Sequence, residues 1–287
     1  MVKNIFKILI SVILLSAVLS AFGCGNDFFG LIYSNDVDER LEYKDSFPFL
    51  DDEKREWRKS LTLDDNYKFL VVTDTHIEDG EDYKLGSALL KAVEEHKPKF
   101  VVNLGDITQS GTAHDISLFI DIADSLGVPF YPVIGNHDIY FGNWPVWRDL
   151  IGSTNYRIDH SNTTLLFLDS ANAFFGKRQL DWLENEFKKT DENVFVFTHA
   201  PLFTTGIKMQ QVTDSRERAR IMSILKNKGD IMLMGHSHQR AENEAGNVQY
   251  VTFEDFRSTN IYCVVSVTSA KATYEFWKYE NGVVKKL

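Results

Sequence analysis

Five of the eight histidines in this 287-residue chain fall in short polar clusters with aspartate, asparagine and glycine. In order, the clusters are Asp74-Thr75-His76, Gly105-Asp106, Gly135-Asn136-His137-Asp138, Thr198-His199-Ala200-Pro201 and Gly235-His236-Ser237-His238. They offer imidazole, carboxylate and carboxamide but no sulfur, a donor set suited to Fe, Mn or Zn and not to Cu(I). Any one cluster alone has a bland reading. Asp-Thr-His is a common helix cap or turn, Gly-Asp a common turn, and Gly-His-Ser-His an ordinary surface loop. The remaining histidines, His96, His114 and His160, sit at a helix end or in loops and read as surface residues.

The segments preceding the clusters supply the argument for function. Lys68–Val72, Phe100–Leu104, Phe130–Ile134, Val194–Thr198 and Ile231–Met234 are short apolar runs that read as buried strands, and each leads directly into one cluster. Between the early ones, Tyr83–His96 and Ile116–Leu126 carry apolar residues at helical spacing, closed by Pro98 and by Gly127 with Pro129. This is β-α-β-α-β in units of about 30 residues, the pattern of parallel strands with crossover helices. Pro132 predicts that the third strand is an edge or ends early. Further strands are expected at Leu165–Leu168, Val248–Thr252, Ile261–Val267 and, last, Ala272–Lys278, with helices at Lys177–Lys189 and from Asp214 to about Lys226. Asp214 and Glu217 have capping-box spacing. In α/β sheets, ligands bind beyond the carboxyl ends of the strands. Five clusters at five strand ends therefore predict one shared crevice.

The ordered set Asp-x-His, Gly-Asp, Gly-Asn-His-Asp, lone His, Gly-His-x-His resembles the calcineurin-like metallophosphoesterases, with all five blocks present between residues 74 and 238. Leu166–Ser170 and Gln179–Leu183 resemble the branch containing bacterial cyclic-nucleotide phosphodiesterases and purple-type acid phosphatases. The resemblance implies an α/β fold, a four-layer α-β-β-α sandwich with two mixed sheets. It also implies two divalent transition-metal ions (Mn, Fe or Zn) and hydrolysis of phosphoric esters by a metal-bridging hydroxide. One ion would be held by Asp74, His76, Asp106 and His238, the other by Asp106, Asn136, His199 and His236. His137 would neutralise the phosphoryl group or protonate the leaving oxygen, oriented by Asp138. Gly105, Gly135 and Gly235 would let the backbone turn beside the ions. Purple acid phosphatases carry a tyrosine ligand three residues after the bridging aspartate; here Gln109 stands there, so charge-transfer colour is not expected. Asp169 resembles a structural strand-end aspartate. Arg216, Arg218 and Arg220 are expected to form a solvated helix face, the alternative being a clamp on a second phosphate.

Composition sets the outer limits. With 44% hydrophobic and 25% charged residues the chain is globular. A net charge of −10 argues against holding long nucleic acid by counterion release, so the expected partner is a small phosphorylated substrate. Cys24 and Cys263 are too few for a disulfide scaffold or a thiolate zinc site. Residues 1–23 read as a lipoprotein-type signal peptide: Lys3 and Lys7, then an apolar run from Ile8 to Phe22 that is shorter as a helix (roughly 22 Å) than a bilayer core. Gly23-Cys24 follows, resembling the lipobox of bacterial lipoproteins, which implies an exported chain anchored to a membrane through lipidated Cys24. An uncleaved anchor and an ordinary secretory signal are the alternatives. Residues 24–65, rich in charge and poor in periodicity, read as a tether and extension with one short helix near Asp51–Lys59, and 66–287 as the catalytic domain. A nuclease of the same superfamily is disfavoured by charge, and a non-catalytic module by the complete ligand set. Preference for diesters over monoesters rests on the branch resemblance and on Gln109.

Overall fold

The computed structural model describes residues 36–41, 61–80, 82–160, 162–189, 193–206, 210–226, 228–268 and 271–287. The leader, Cys24 and the helix expected near Asp51–Lys59 lie outside the described residues, among which no helix is long and apolar enough to cross a membrane. A short helix α1 (Val37–Leu41) precedes β1 (Tyr67–Val72), α2 (Asp82–His96), β2 (Val101–Asn103), α3 (Ala113–Ser125) and β3 (Phe130–Pro132). A tight 3-10 segment, His137–Gly142, leads into α4 (Trp144–Leu150). The second half runs β4 (Tyr156–His160), β5 (Thr163–Phe167), α5 (Lys177–Phe187), β6 (Asn193–Phe197), α6 (Ser215–Leu225) and β7 (Ile231–Met234). It closes with β8 (Ala241–Ala245), β9 (Val248–Thr252), α7 (Phe256–Thr259), β10 (Ile261–Val267), β11 (Ala272–Glu280) and β12 (Val283–Lys286).

These strands form two six-stranded mixed sheets, ordered β12-β11-β10-β1-β2-β3 and β4-β5-β6-β7-β9-β8. The β1-β2-β3 and β5-β6-β7-β9 pairings are parallel and the others antiparallel. Strand alternation assigns each apolar residue to a layer. Phe69, Val71, Val102, Leu104 and Val133 face Phe167, Phe195, Phe197, Leu233 and Val251 across the inter-sheet core. There Phe69 stacks on Phe100 at 4.7 Å and meets Phe195 edge-on at 5.2 Å. On the outer faces Leu70, Val72 and Val101 pack against α2, α3 and α4, while Leu166, Val196 and Met232 pack against α5 and α6. Three apolar interiors between four layers give the expected α-β-β-α sandwich.

β3 is a sheet edge and ends at Pro132, as its missing N–H requires. Three edge elements escaped the sequence reading: β4, β8 and β12. Ala241-Glu242-Asn243-Glu244-Ala245 is too charged to look like a strand, yet charge is how edge strands avoid further pairing. Ala272–Glu280 is consequently not the last strand. The Asp214 cap is real, accepting from Arg216 N at 2.8 Å, but the capping box is not. Glu217 instead accepts from Phe175 N (2.8 Å) and Gly176 N (2.9 Å) at the start of α5. Arg220 ties α6 to α5 through Asp181 (2.6 Å) and Glu184 (3.0 Å), Arg216 pairs with its own cap, and Arg218 bonds Val212 O. Arg220 thus serves helix packing and Arg218 ties its helix to the loop before it, while Arg216, its side chain 90% exposed, lies on a solvated face as expected.

Within the segment read as a tether and extension, α1 is folded onto α5, and Arg40 is buried at 1% exposure. Its guanidinium donates to both carboxylate oxygens of Asp169 (2.6 and 2.8 Å) and to Asn172 Oδ1 (2.6 Å). The strand-end aspartate is therefore structural, and its counter-ion arrives from 129 residues upstream.

Candidate metal centre

The parallel strands end on one side of the sandwich, and all nine site residues expected from the sequence gather there. β1 delivers Asp74 and His76, β2 Asp106, β3 Asn136, His137 and Asp138, β6 His199, and β7 His236 and His238. Three groups of donor atoms lie within 4.8 Å of one another: Asp74/His76/His238, Asp106/His199/His236 and His76/Asp106/His137.

The backbone is bent hard to achieve this. Asp74, His76, Asp106, His236 and His238 have φ of 52°, 44°, 50°, 69° and 54°, the left-handed region that L-residues usually avoid. Interloop hydrogen bonds hold these conformations: Asp74 N to Gly105 O (3.0 Å), His76 N to Asp106 O (2.9 Å), His236 N to Asp74 Oδ2 (3.0 Å) and His137 N to Asp106 Oδ1 (2.9 Å). Gly105 turns the backbone as expected, with φ 107°, but Gly135 and Gly235 are needed for close approach, since a Cβ would lie 2.2 Å from Asp106 N at the first and 2.0 Å from Thr73 Oγ1 at the second.

The geometry calls for positive charge at two points. His199 donates from Nδ1 to Leu104 O (2.9 Å), so a neutral ring presents its Nε2 lone pair to the cluster. Around that Nε2 stand two further acceptors, Asn136 Oδ1 (3.1 Å) and Asp106 Oδ2 (3.2 Å), together with a ring nitrogen, His236 Nδ1 (3.1 Å). Asn136 is oriented for this by donating from Nδ2 to Tyr140 Oη (2.7 Å). Acceptors crowded at 3.1–3.2 Å repel one another unless a proton or a cation sits among them. Ligand atoms around a tetrahedral ion with ~2.1 Å bonds are about 3.4 Å apart, close to this spacing. The carboxylates act on His199 in the same sense: burial alone would lower its pKa, but Asp106 and Asp74 push it up to about 9. Asp106 is held well below the carboxylate range by His199 and His137 despite its burial.

At the second point Asp74 Oδ1 lies 3.2 Å from His238 Nε2 and 3.9 Å from His76 Nε2, which is 4.0 Å from Asp106 Oδ2. Asp74 Oδ1 and both ring nitrogens of His76 are buried without a hydrogen-bond partner. Such orphaned atoms cost of order 1–3 kcal/mol each unless something binds them, and one cation shared with His238 would satisfy Asp74 Oδ1 and one nitrogen of His76. These donors fit divalent ions on both sides of Asp106. His238, with its side chain 46% exposed, marks the mouth.

Asp138 does not orient His137. Its carboxylate accepts from Thr108 N (2.9 Å), Thr108 Oγ1 (2.9 Å), Gly135 N (2.9 Å) and Ile107 N (3.3 Å), bolting the β2 and β3 loops together. Burial, with the nearby charge of Asp106, raises its pKa to about 6 against those donors. The partner of His137 is Gln109, whose carbonyl accepts from Nδ1 at 2.8 Å. His137 Nε2 then faces the cluster, 4.0 Å from Asp106 Oδ2. No side-chain code could have announced a backbone carbonyl. Thr73, whose Oγ1 donates to Asp74 Oδ2 (2.6 Å), was equally silent. Of the histidines set aside, His114 pairs with Asp79 on the surface and His160 accepts from Leu63 N, but His96 packs between Tyr262 and Trp277.

Convergent strand-end carboxylates and imidazoles on a two-sheet sandwich form a cluster that could hold metal ions. Residues 67–240 match the family model for the calcineurin-like phosphoesterases, and the chain belongs to that family, making it a phosphoric-ester hydrolase. A probable cyclic nucleotide phosphodiesterase of Fibrobacter succinogenes is 29% identical over 182 residues, 58% of this chain and 71% of that protein. A probable glycerophosphodiester phosphodiesterase of Arcobacter nitrofigilis is 29% identical over 158 residues, half of this chain and 58% of its own length. In fold, the chain is similar to the purple acid phosphatase of yellow lupin seeds (TM-score 0.63, 12% identity, 79% of this chain and 54% of that one). It is also similar to a dimetal phosphatase of Danio rerio (TM-score 0.57, 16% identity, 77% and 95%).

Proposed function

We propose that the chain is a phosphodiesterase that holds two divalent transition-metal ions, one by Asp74, His76, Asp106 and His238 and the other by Asp106, Asn136, His199 and His236. The observation that carries this is the pair of donor clusters sharing Asp106: the crowd around His199 Nε2 and the group with the orphaned Asp74 and His76 atoms. When bound, such ions supply Lewis acidity toward phosphoryl oxygens and make water acidic enough to attack phosphorus near neutral pH.

The chain's own residues supply position and a proton. Gln109 O fixes the proton of His137 on Nδ1, so Nε2 is the atom that can hold a second proton and pass it to the leaving alcohol oxygen. His238 and the neighbouring mouth admit the ester, while Thr73 and Tyr140 keep the lone pairs of Asp74 and Asn136 aimed inward. A diester is favoured because it carries a single negative charge. The guanidinium bordering the site, Arg257, is already paired with Glu78, so a dianionic monoester finds less compensation there. The names of the two relatives, both diesterases, point the same way. Purified protein loaded with Mn, Fe or Zn should turn over bis(p-nitrophenyl) phosphate faster than p-nitrophenyl phosphate, with close to two ions per chain. Faster monoester turnover would reverse the assignment; one ion at full activity would remove the dinuclear part.

The leader supports a second element of this proposal: export, with acylated Cys24 tethering the enzyme to a membrane. Mass spectrometry of the natural N-terminus should find diacylglyceryl cysteine, and an intact Met1 would defeat it.

A further inference from the structure

Arg257 lies outside the family-matched region yet reaches into the site's frame. It sits in α7, a four-residue helix capped by Asp255, which accepts from Ser258 N at 2.8 Å. The helix is moored to the first metal loop by Phe256 N to Thr73 O (2.9 Å) and Arg257 N to Asp74 O (3.3 Å). From this mooring the guanidinium donates through Nη1 to Gln109 Oε1 (2.9 Å) and through Nη2 to Glu78 Oε1. Gln109 is thus held at both ends. Its backbone N–H donates to Ile77 O (3.0 Å), its side chain is gripped by Arg257, and its carbonyl receives the His137 Nδ1 proton. A planar guanidinium can grip two acceptors in fixed directions, which an ammonium cannot do.

We propose that Arg257 is a positioning residue for His137, acting through Gln109. At the position where a tyrosine ligand would stand in purple acid phosphatases, this chain carries a glutamine whose side chain is free of metal duty and serves as the handle. Losing the grip lets the 107–111 loop relax, so the Gln109 carbonyl no longer fixes the direction of His137 Nε2. The inference rests on the reading of His137 as the proton donor, and its consequences follow that role. Proton donation matters most for poor leaving groups, so loss of Arg257 should tax alkyl and phenyl leaving groups more than p-nitrophenol.

The test uses the metal-loaded enzyme and diesters that differ only in leaving-group acidity. Arg257→Gln should lower kcat roughly tenfold to hundredfold for the poorest leaving group and little for p-nitrophenol, with KM and metal content unchanged. The loss should vanish when the substitution is made in a His137→Ala background. In the zinc-loaded protein, the downfield proton resonance assigned to His137 Nδ1–H by its absence from His137→Ala should shift or broaden in Arg257→Gln. Gln109→Ala, which keeps the carbonyl and the guanidinium but breaks the grip, should behave alike and serves if Arg257→Gln folds poorly. Additive losses, a raised KM with no leaving-group dependence, or an unchanged enzyme and resonance would each overturn the proposal. If His137→Ala itself retains full turnover, the proton-donor reading fails, while the resonance still reports whether Arg257 holds the ring.

Discussion

Replacing Arg40 with methionine should destabilise the enzyme by about 3–5 kcal/mol, the usual cost of leaving a buried charge without its partner. Arg40 and Asp169 are 1% and 0% exposed, and three bonds of 2.6–2.8 Å join the guanidinium to Asp169 and Asn172. After substitution, Asp169 keeps a donor in Ala171 N (3.1 Å) but has lost its counter-ion. For a domain of this size each kcal/mol moves the midpoint by about 2–4 °C, so the metal-loaded variant should melt roughly 10 °C lower. Arg40→Met combined with Asp169→Asn should recover part of the loss, because a neutral amide costs less to bury. Activity should fall as well. Asp169 adjoins Ser170, whose Oγ accepts from Thr198 Oγ1 (2.8 Å) and Ala200 N (2.8 Å) on either side of His199. A chain beginning at residue 66 should show at least this thermal deficit, since it lacks α1 and also Leu63 of the inter-sheet core. Circular dichroism melts of the full-length, single, double and truncated proteins decide the matter. A deficit below 1 kcal/mol, or a double variant no better than the single, would refute the claim that this ion pair is a structural clasp.

Asp106→Ala should abolish binding of both ions, as elemental analysis would show; one ion retained at full occupancy would mean the carboxylate does not bridge. His137→Ala should keep both ions while losing roughly 10²-fold or more in turnover of poor leaving groups, the scale of general acid catalysis. Equal loss of metal would make His137 a ligand, as its grouping with His76 and Asp106 allows. Phe141 is 56% exposed with φ 55°, so Phe141→Asn should raise stability by about 0.5–1 kcal/mol in urea melts, by relieving backbone strain that asparagine tolerates. A destabilised Phe141→Asn would show that the ring makes contacts worth more than that strain.

The strands that carry ligands were legible because burial on both faces leaves an uninterrupted apolar run ending in polar residues. β8 and β12 were not, because Glu242, Glu244, Lys285 and Lys286 obey edge-strand chemistry that looks like loop. The nine site residues were legible as types at strand ends, but their supports were of two opaque kinds. Some are backbone atoms, such as the carbonyls of Gln109 and Leu104. Others are distant side chains, such as Arg40 and Arg257, whose partners lie 129 and 148 positions away. Local spacing predicts neither. Asp138 shows the resulting error: proximity in sequence to His137 suggested a pair, whereas the fold spends that carboxylate on two loops.

The strained backbone explains why the supports are so numerous. Five candidate ligands in the left-handed region cost about 1 kcal/mol or more apiece, together comparable to the whole stability of a typical domain. The strain exists because parallel strands run side by side, and only a sharp reversal at each end turns their next side chains toward a common point. Bound ions can offset part of it, because whatever binds only the folded loops stabilises them. Protein–protein contacts add to that and survive without metal: the interloop bonds from Asp74, His76 and His236, the four donors on Asp138, and the clasp and grip supplied by Arg40 and Arg257. Two of those supports lie outside residues 67–240, so the family-matched core of the fold depends on flanking sequence to hold its own catalytic end in shape.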